Sequence, residues 1–271
     1  MQKNFYQNTE IKKIMKISER AKKLLINLIK KRKGAGLIEF SKGGADFLTE
    51  ADAAIDTLLI KELSKDFPND SILTEESAGE NMDEYKNFTG GRVWIIDPID
   101  GTANFSRGND NFAISIALVE NSQPVIAIIL MPQKNITIFA HRDMPKATIN
   151  NRPIHVSKTE DLSKATIAFD FPWDSHKRRL TGDTINKLSP HIRQVKVMGS
   201  SVSDIARLAF GEIDGYIQPG VKPWDVAAVA LVAEKSGATI TTLDGNRWNI
   251  FTPDVLITNG KLHDKILNLI R

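Results

Sequence analysis

Cysteine is missing from all 271 residues. Its absence removes disulfide scaffolds, thiolate metal sites and cysteine nucleophiles together. Histidine is sparse and scattered, at His141, His155, His176, His191 and His263, without metal-ligand spacing. These five are expected to be structural or at the surface, so any bound metal is expected on oxygen ligands. Long hydrophobic runs are missing as well. The longest, residues 112–119 and 125–131, fall far below the ~18 residues that a membrane span needs. No membrane association and a cytoplasmic location are the resulting expectations. What remains, 41% hydrophobic and 25% charged letters, is the balance of an ordinary globular chain long enough to bury its own core.

The formal net charge of +3 is unevenly spread. Residues 1–33 hold 11 of the 36 Lys and Arg but only Glu10 and Glu19 of the 33 acids, which makes this stretch +9 and the remainder −6. A basic leader can be a nucleic-acid arm, a membrane-surface helix or a targeting peptide. Here Ile14, Ile17, Ala21, Leu24, Leu25 and Leu28 recur at helical spacing, so the segment reads first as a helix with a solvated lysine face. Binding of nucleic acid or an anionic membrane through it is the alternative from a different class.

A second helix is expected from Thr49 through Leu63, ended before Pro68. Residues 72–73 and 93–96 read as strands ending in carboxylates; 112–119 and 125–131 read as a hairpin that 136–140 continues. Beyond about residue 150 the pattern alternates, with strands at 166–171, 194–198 and 215–218 and helices at 177–188, 203–210 and 226–235. The expected class is α+β. Residues 1–149 form an N-terminal half with the acidic motifs and an antiparallel sheet, and 150–271 form an α/β half, the two packed as one unit. Ser41-Lys42-Gly43-Gly44 reads as a mobile loop.

The strongest local signal is Val93-Trp94-Ile95-Ile96-Asp97-Pro98-Ile99-Asp100-Gly101-Thr102. An apolar strand delivers two carboxylates three residues apart, and Pro98 pushes Asp97 toward an extended conformation. Two anions so close repel unless a cation lies between them, and such ligands suit Mg²⁺. The competing reading is a Pro-Ile-Asp-Gly turn closing a strand. Three weaker acidic segments accompany it. Glu75-Glu76-Ser77 follows a strand, Asp225 in Lys222-Pro223-Trp224-Asp225 sits where a helix N-cap is expected, and Asp46-Phe47-Leu48-Thr49-Glu50-Ala51-Asp52 also fits an ordinary helix start.

Taken together, in their order and approximate spacing, these four segments resemble the inositol monophosphatase family, the Mg²⁺-dependent, lithium-sensitive group that includes fructose-1,6-bisphosphatase. The resemblance runs over about residues 10–270 and takes in Val156-Ser157 and the Gly199-Ser200-Ser201 turn. It implies a layered αβαβα sandwich and hydrolysis of a small phosphate monoester by water, without a phosphoenzyme, on two or three Mg²⁺ ions. Residue by residue, it implies one ion on Glu75, Asp97 and the Ile99 carbonyl, and a second on Asp97, Asp100 and Asp225. A third is held largely by water near Glu75. Thr102 and Asp52 resemble the pair that orients and deprotonates the attacking water, the amides of Gly101 and Thr102 would bind phosphate, and Lys42 would belong to a closing loop.

Gly199, Ser200 and Gln218 fall where the family lines its leaving-group pocket, beside Asp100 and Asp225. Gln218 departs from the Glu usual seven residues before Asp225, and Phe169 and Met198 replace residues that are commonly smaller or basic. Inositol 1-phosphate is the leading expected substrate, with fructose 1,6-bisphosphate, histidinol phosphate and 3′-phosphoadenosine nucleotides as rivals. The resemblance further implies a homodimer acting on a small molecule, with no nucleic acid or membrane as partner.

Overall fold

The computed structural model describes residues 7–35, 39–43, 46–78 and 91–271, with side chains described for 7–31, 49–78 and 91–271. Its first helix, α1 (Thr9–Ala35), buries Ile11, Ile14, Ile17, Ala21, Leu25 and Ile29. Steps of three and four residues place these on one stripe, as a 3.6-residue turn requires. The basic face is tied to the body. Lys13 donates to the Asp66 carbonyl at 3.0 Å, Lys22 to the Asn135 side chain at 3.1 Å, Lys31 pairs with Glu50 at 3.0 Å, and Arg20 pairs with Glu62.

A short antiparallel hairpin follows, β1 (Glu39–Gly43) with β2 (Asp46–Thr49). The backbone of Lys42 therefore lies in a strand, where the glycines suggested a loop, and its side chain falls outside the described residues. Gly44 does too. Helix α2 (Glu50–Asp66) starts where expected, with Thr49 as N-cap. Asp52 accepts the Thr49 amide at 2.8 Å while the Thr49 hydroxyl accepts the Ala51 amide at 3.2 Å.

The main sheet contains β3 (Ser71–Thr74), β4 (Arg92–Asp100), β5 (Ala113–Glu120), β6 (Gln123–Met131), β7 (Ile136–His141), β8 (Thr148–Ile149) and β9 (Arg152–Pro153), in that order. Only β3 and β4 pair in parallel. Strand β4 runs into the short helix α3 (Thr102–Ser106). Side chains alternate across the sheet. Trp94, Ile96, Ile116, Leu118, Ile126 and Ile128 pack under α1 and α2, whereas Val93, Ile95, Ala117, Val119, Ala127 and Ile129 face the other way.

The second half opens with β10 (Thr166–Phe169), α4 (Ser175–Leu188) and β11 (Gln194–Val197). Then come α5 (Ser201–Ala209), β12 (Gly215–Pro219), α6 (Pro223–Lys235), β13 (Thr239–Thr241), β14 (Asp254–Thr258) and α7 (His263–Ile270). The strands order as β11-β10-β12-β14-β13. Helices α5 and α6 fill the space between the two sheets, contributing Val202, Ile205, Val229 and Val232 to the core they share with both. Helices α4 and α7 cover the outer face through Leu188, Ile266 and Leu267. The result is the expected αβαβα stack.

Phe169 is buried in that outer cluster with Ile167 and Leu256, so it packs the sheet. Trp94 is fully buried and donates to Asp70 at 3.0 Å, and Trp224 is 8% exposed; both pack the strands and helix that carry acidic motifs. No described helix is long and apolar enough to cross a membrane.

A first prediction follows from α1 being part of the core. Ile17→Ala, at a side chain only 1% exposed, is expected to cost about 2–5 kcal/mol of unfolding free energy. Lys16→Ala on the exposed face should stay within about 0.5 kcal/mol. Urea titrations of both variants check the pair; equal, small effects would mean that α1 is a detachable arm.

Candidate active site

In a regular strand, residues three apart point to opposite faces of the sheet. Asp97 and Asp100 escape this because the β4–β5 register breaks between them: Asp97 opposes Ser115, and Asp100 opposes Ala113. Pro98 has no amide to donate, so the ladder is interrupted at this point anyway, and a bulge re-aims the side chains beyond it. A third carboxylate arrives from α6. Asp225 is not the N-cap that the sequence suggested but the third helical residue, behind Lys222 as N-cap and Pro223 in the first turn. Pro supplies the preset φ there, and Asp225 accepts the Lys222 amide at 2.8 Å.

Asp97, Asp100 and Asp225 each offer an oxygen within 4.8 Å of the others. Asp97 and Asp100 are buried, 2% and 7% exposed. Burial pushes the Asp97 carboxyl well above the usual range, and the charges of Glu75, Asp100, Asp225 and Asp52 push it further. Burial and the Asp100 charge raise Asp225 likewise. Asp100 rises to about 6 through burial, although the Ser200 and Ser201 hydroxyls and the Val202 amide all donate to it. Those donors belong to the first turn of α5, whose dipole favours an anion.

Asp97 Oδ1 is buried with no hydrogen-bond partner among the described residues. Such an oxygen is costly unless a cation takes it up. The hard, all-oxygen donor set fits Mg²⁺. Glu75 stands next to this trio without joining it at that distance. Its amide donates to the Ile96 carbonyl at 3.0 Å, extending the β3–β4 pairing by one residue. Thr74 and Ser77 lock the turn, the amide of each donating to the other's hydroxyl at 3.1 and 3.0 Å.

Asp52 and Thr102 come together from distant elements. The Thr102 hydroxyl lies 2.9 Å from Asp52 Oδ1 and 2.9 Å from the Ile99 carbonyl. Burial raises the Asp52 carboxyl, against the bonds from Thr49 and Thr102. Gly101, between the two motifs, has φ +88°, and a Cβ there would lie 3.0 Å from both the Asn111 carbonyl and Ser200 Cβ. Only glycine permits this approach.

The leaving-group candidates are divided. Ser200 is committed twice, donating to Asp100 and accepting the Ser203 amide at 3.2 Å as N-cap of α5. Gly199, at φ +72°, has its carbonyl 3.0 Å from the Asn104 amide nitrogen. Gln218 is buried at the end of β12, its carbonyl accepting the Tyr216 hydroxyl.

Sequence reasoning missed Asn104, whose side-chain nitrogen also reaches the Asn111 and Met198 carbonyls at 2.8 and 2.7 Å and so pins the two site loops together. It missed Ser201 as a donor to Asp100. It missed Asp170 and Asp204 too, which burial lifts to about 6 and about 8. Their motifs carry no local signal, because the partners lie far along the chain.

Comparison with known proteins agrees with this geometry. The model of the inositol monophosphatase family matches residues 10–271. A fructose-1,6-bisphosphatase/inositol-1-monophosphatase of Thermotoga maritima is 30% identical over 233 residues, 86% of each chain. The Nus factor SuhB of Escherichia coli K12 is 29% identical over 252 residues, 92% of each chain. Among solved structures, an inositol monophosphatase from Thermotoga maritima superposes with a TM-score of 0.81 at 28% identity, covering 94% of this chain and 95% of that one. With a carboxylate trio suited to a metal and a family match across nearly its whole length, the chain belongs to the inositol monophosphatase family and is a phosphoric monoester hydrolase.

Proposed function

We propose that this enzyme hydrolyses a small polyol phosphate, foremost inositol 1-phosphate, to the free polyol and phosphate on two or three Mg²⁺ ions. The observation that carries the reading is the buried, unpartnered Asp97 oxygen within a carboxylate trio. Glu75, Asp97 and the Ile99 carbonyl would hold one ion, and Asp97, Asp100 and Asp225 a second, with Glu75 near a third. Bound Mg²⁺ supplies acidity to nearby water and positive charge against the phosphate and leaving oxygens.

The chain's own groups then do the positioning and the proton transfer. Thr102 donates to Asp52, which leaves a hydroxyl lone pair free to take a proton from the attacking water while Asp52 takes the hydroxyl's own. The burial that raises the Asp52 carboxyl makes it the better base. Backbone amides of Gly101 and Thr102 hold the phosphate oxygens, and Gly199, Ser200, Gln218 and Asp225 border the departing alcohol. Direct attack by water requires no phosphoenzyme.

The same reading takes residues 1–149 and 150–271 as two halves of one unit, joined by the core that α5 and α6 share with both sheets. It also includes a cytoplasmic homodimer and a lid role for Lys42. Sedimentation velocity tests the dimer.

Asp97→Asn is expected to lower kcat by roughly a thousandfold or more, because one residue serves both ions, while circular dichroism stays unchanged. Unaltered turnover would remove the two-metal assignment. Lithium should inhibit competitively with Mg²⁺. Across a kinetic panel, kcat/KM is expected to be highest for inositol 1-phosphate; a best value on histidinol phosphate would overturn the substrate.

The pH dependence of the metal-free chain has a definite sign. Asp97, Asp225 and Asp100, the last at about 6, sit above ordinary carboxylates, so the folded state holds more protons than the unfolded one from about pH 4 up to those raised values. Stability must fall as pH rises through that window. With EDTA present, Tm should climb when pH drops from about 7.5 to about 5.5. Saturating Mg²⁺ should shrink the climb, leaving the part that Asp170 and Asp204, raised by burial, contribute, which differential scanning calorimetry can read directly.

A further inference from the structure

The turn between β5 and β6 lies at the end of the main sheet remote from the metal trio. Asp100 pairs opposite Ala113, the first residue of β5, whereas Gln123 pairs opposite Glu120, the last. At ~3.4 Å per residue those two ends are roughly 24 Å apart. Against this turn is a cleft of about 370 Å³, walled also by the last turns of α6 and by residues 247–249. Its size is that of a small-molecule site.

The buried walls of the cleft are apolar and the exposed ones mostly basic. Ala230 and Leu231 are 3% and 4% exposed, and Ile240 and Trp248 pack on the same core. Arg142 and Arg247 are exposed, and neither pairs with a carboxylate among the described residues. Arg142 is steadied by donating to the Gln123 carbonyl at 3.1 Å. Glu234 is the single acid among the lining residues, and it is exposed to solvent, which screens it. Trp248 keeps its indole N–H away from solvent and without an acceptor among the described residues. A buried donor in that state is costly until an acceptor reaches it.

We propose that this cleft is a second binding site, separate from the metal trio, for a small carboxylate with an apolar body. The carboxylate takes the guanidinium of Arg247, with Arg142 adding positive charge, and supplies the acceptor that the Trp248 N–H lacks. The apolar body covers Ala230, Leu231 and Ile240, which removes their remaining surface from water. Charge decides the sign of the ligand: two arginines face one glutamate, so an ammonium compound would meet an excess of its own sign. A small inorganic anion would satisfy the arginines but leave the apolar walls wet. Only a molecule with both parts uses the whole cleft.

The test is isothermal titration calorimetry of the full chain with 3-phenylpropionate and with 2-phenylethylamine, which carries a similar body on an ammonium. Mg²⁺ and excess inorganic phosphate are present throughout to occupy the metal site. Wild type should bind 3-phenylpropionate with a Kd of about 1 mM or tighter, and the amine roughly tenfold more weakly or not at all. Arg247→Ala should weaken the carboxylate roughly tenfold, and Trp248→Phe, which keeps a ring but drops the N–H, roughly fivefold. Circular dichroism should show both variants folded, since Arg247 is exposed and Phe retains most of the packing. No binding to wild type up to about 10 mM, or an amine bound as tightly as the acid, would overturn the proposal. So would an unchanged affinity in either variant. None of these outcomes bears on the phosphatase reading, which the kinetic panel tests by itself.

Discussion

Repulsion among carboxylates governs how this protein is built. Asp97, Asp100 and Asp225 bring oxygens within 4.8 Å of one another in a buried place, with Glu75 and Asp52 acting on Asp97 as well. Left to themselves such groups move apart or take up protons. They stay because each is anchored by something unrelated to the others. Asp97 is on a strand paired on both sides, Asp100 is gripped by the first turn of α5, and Asp225 is bonded to the backbone at the start of α6. A cation taken up between them would relieve that repulsion.

The layering explains why the anchors meet. Helices α5 and α6 occupy the middle layer, sharing one core with both sheets, and the first turn of each meets the end of β4 at Asp100. Helix N-termini carry partial positive charge, so each delivers a favourable field to a carboxylate that the protein interior would otherwise reject. Gly101 closes the arrangement. Without a Cβ it lets the β4–α3 turn lie against Ser200 and the Asn111 backbone, and Asn104 ties the same loops together. A side chain at Gly101 would part them, moving Asp100 from its donors and Thr102 from Asp52.

Local patterning made much of the fold legible. The stripe in α1, the start of α2 at Thr49, the hairpin of β5 and β6 and the strand–helix alternation up to α6 all depend on neighbours within a few residues. Strands β13 and β14 and helix α7 passed unseen, being short segments whose apolar residues declare a partner only once the sheet is assembled. Asp225 was misplaced by three positions because Lys222-Pro223 already opens α6, and Lys222 has no capping side chain to announce it. Lys42 was read as loop because glycine obscures a strand.

The acidic motifs and their order are properties of the sequence alone, and so are the missing cysteines that leave oxygen as the ligand. Those determine the chemistry a site of this kind can perform. Tertiary structure alone decided that the three aspartates share one place, and that Thr102 lies against Asp52 fifty residues away. The physical reason is range: a carboxylate's identity is written in one letter, but its burial, its charged neighbours and its hydrogen-bond donors come from elements that only packing brings together.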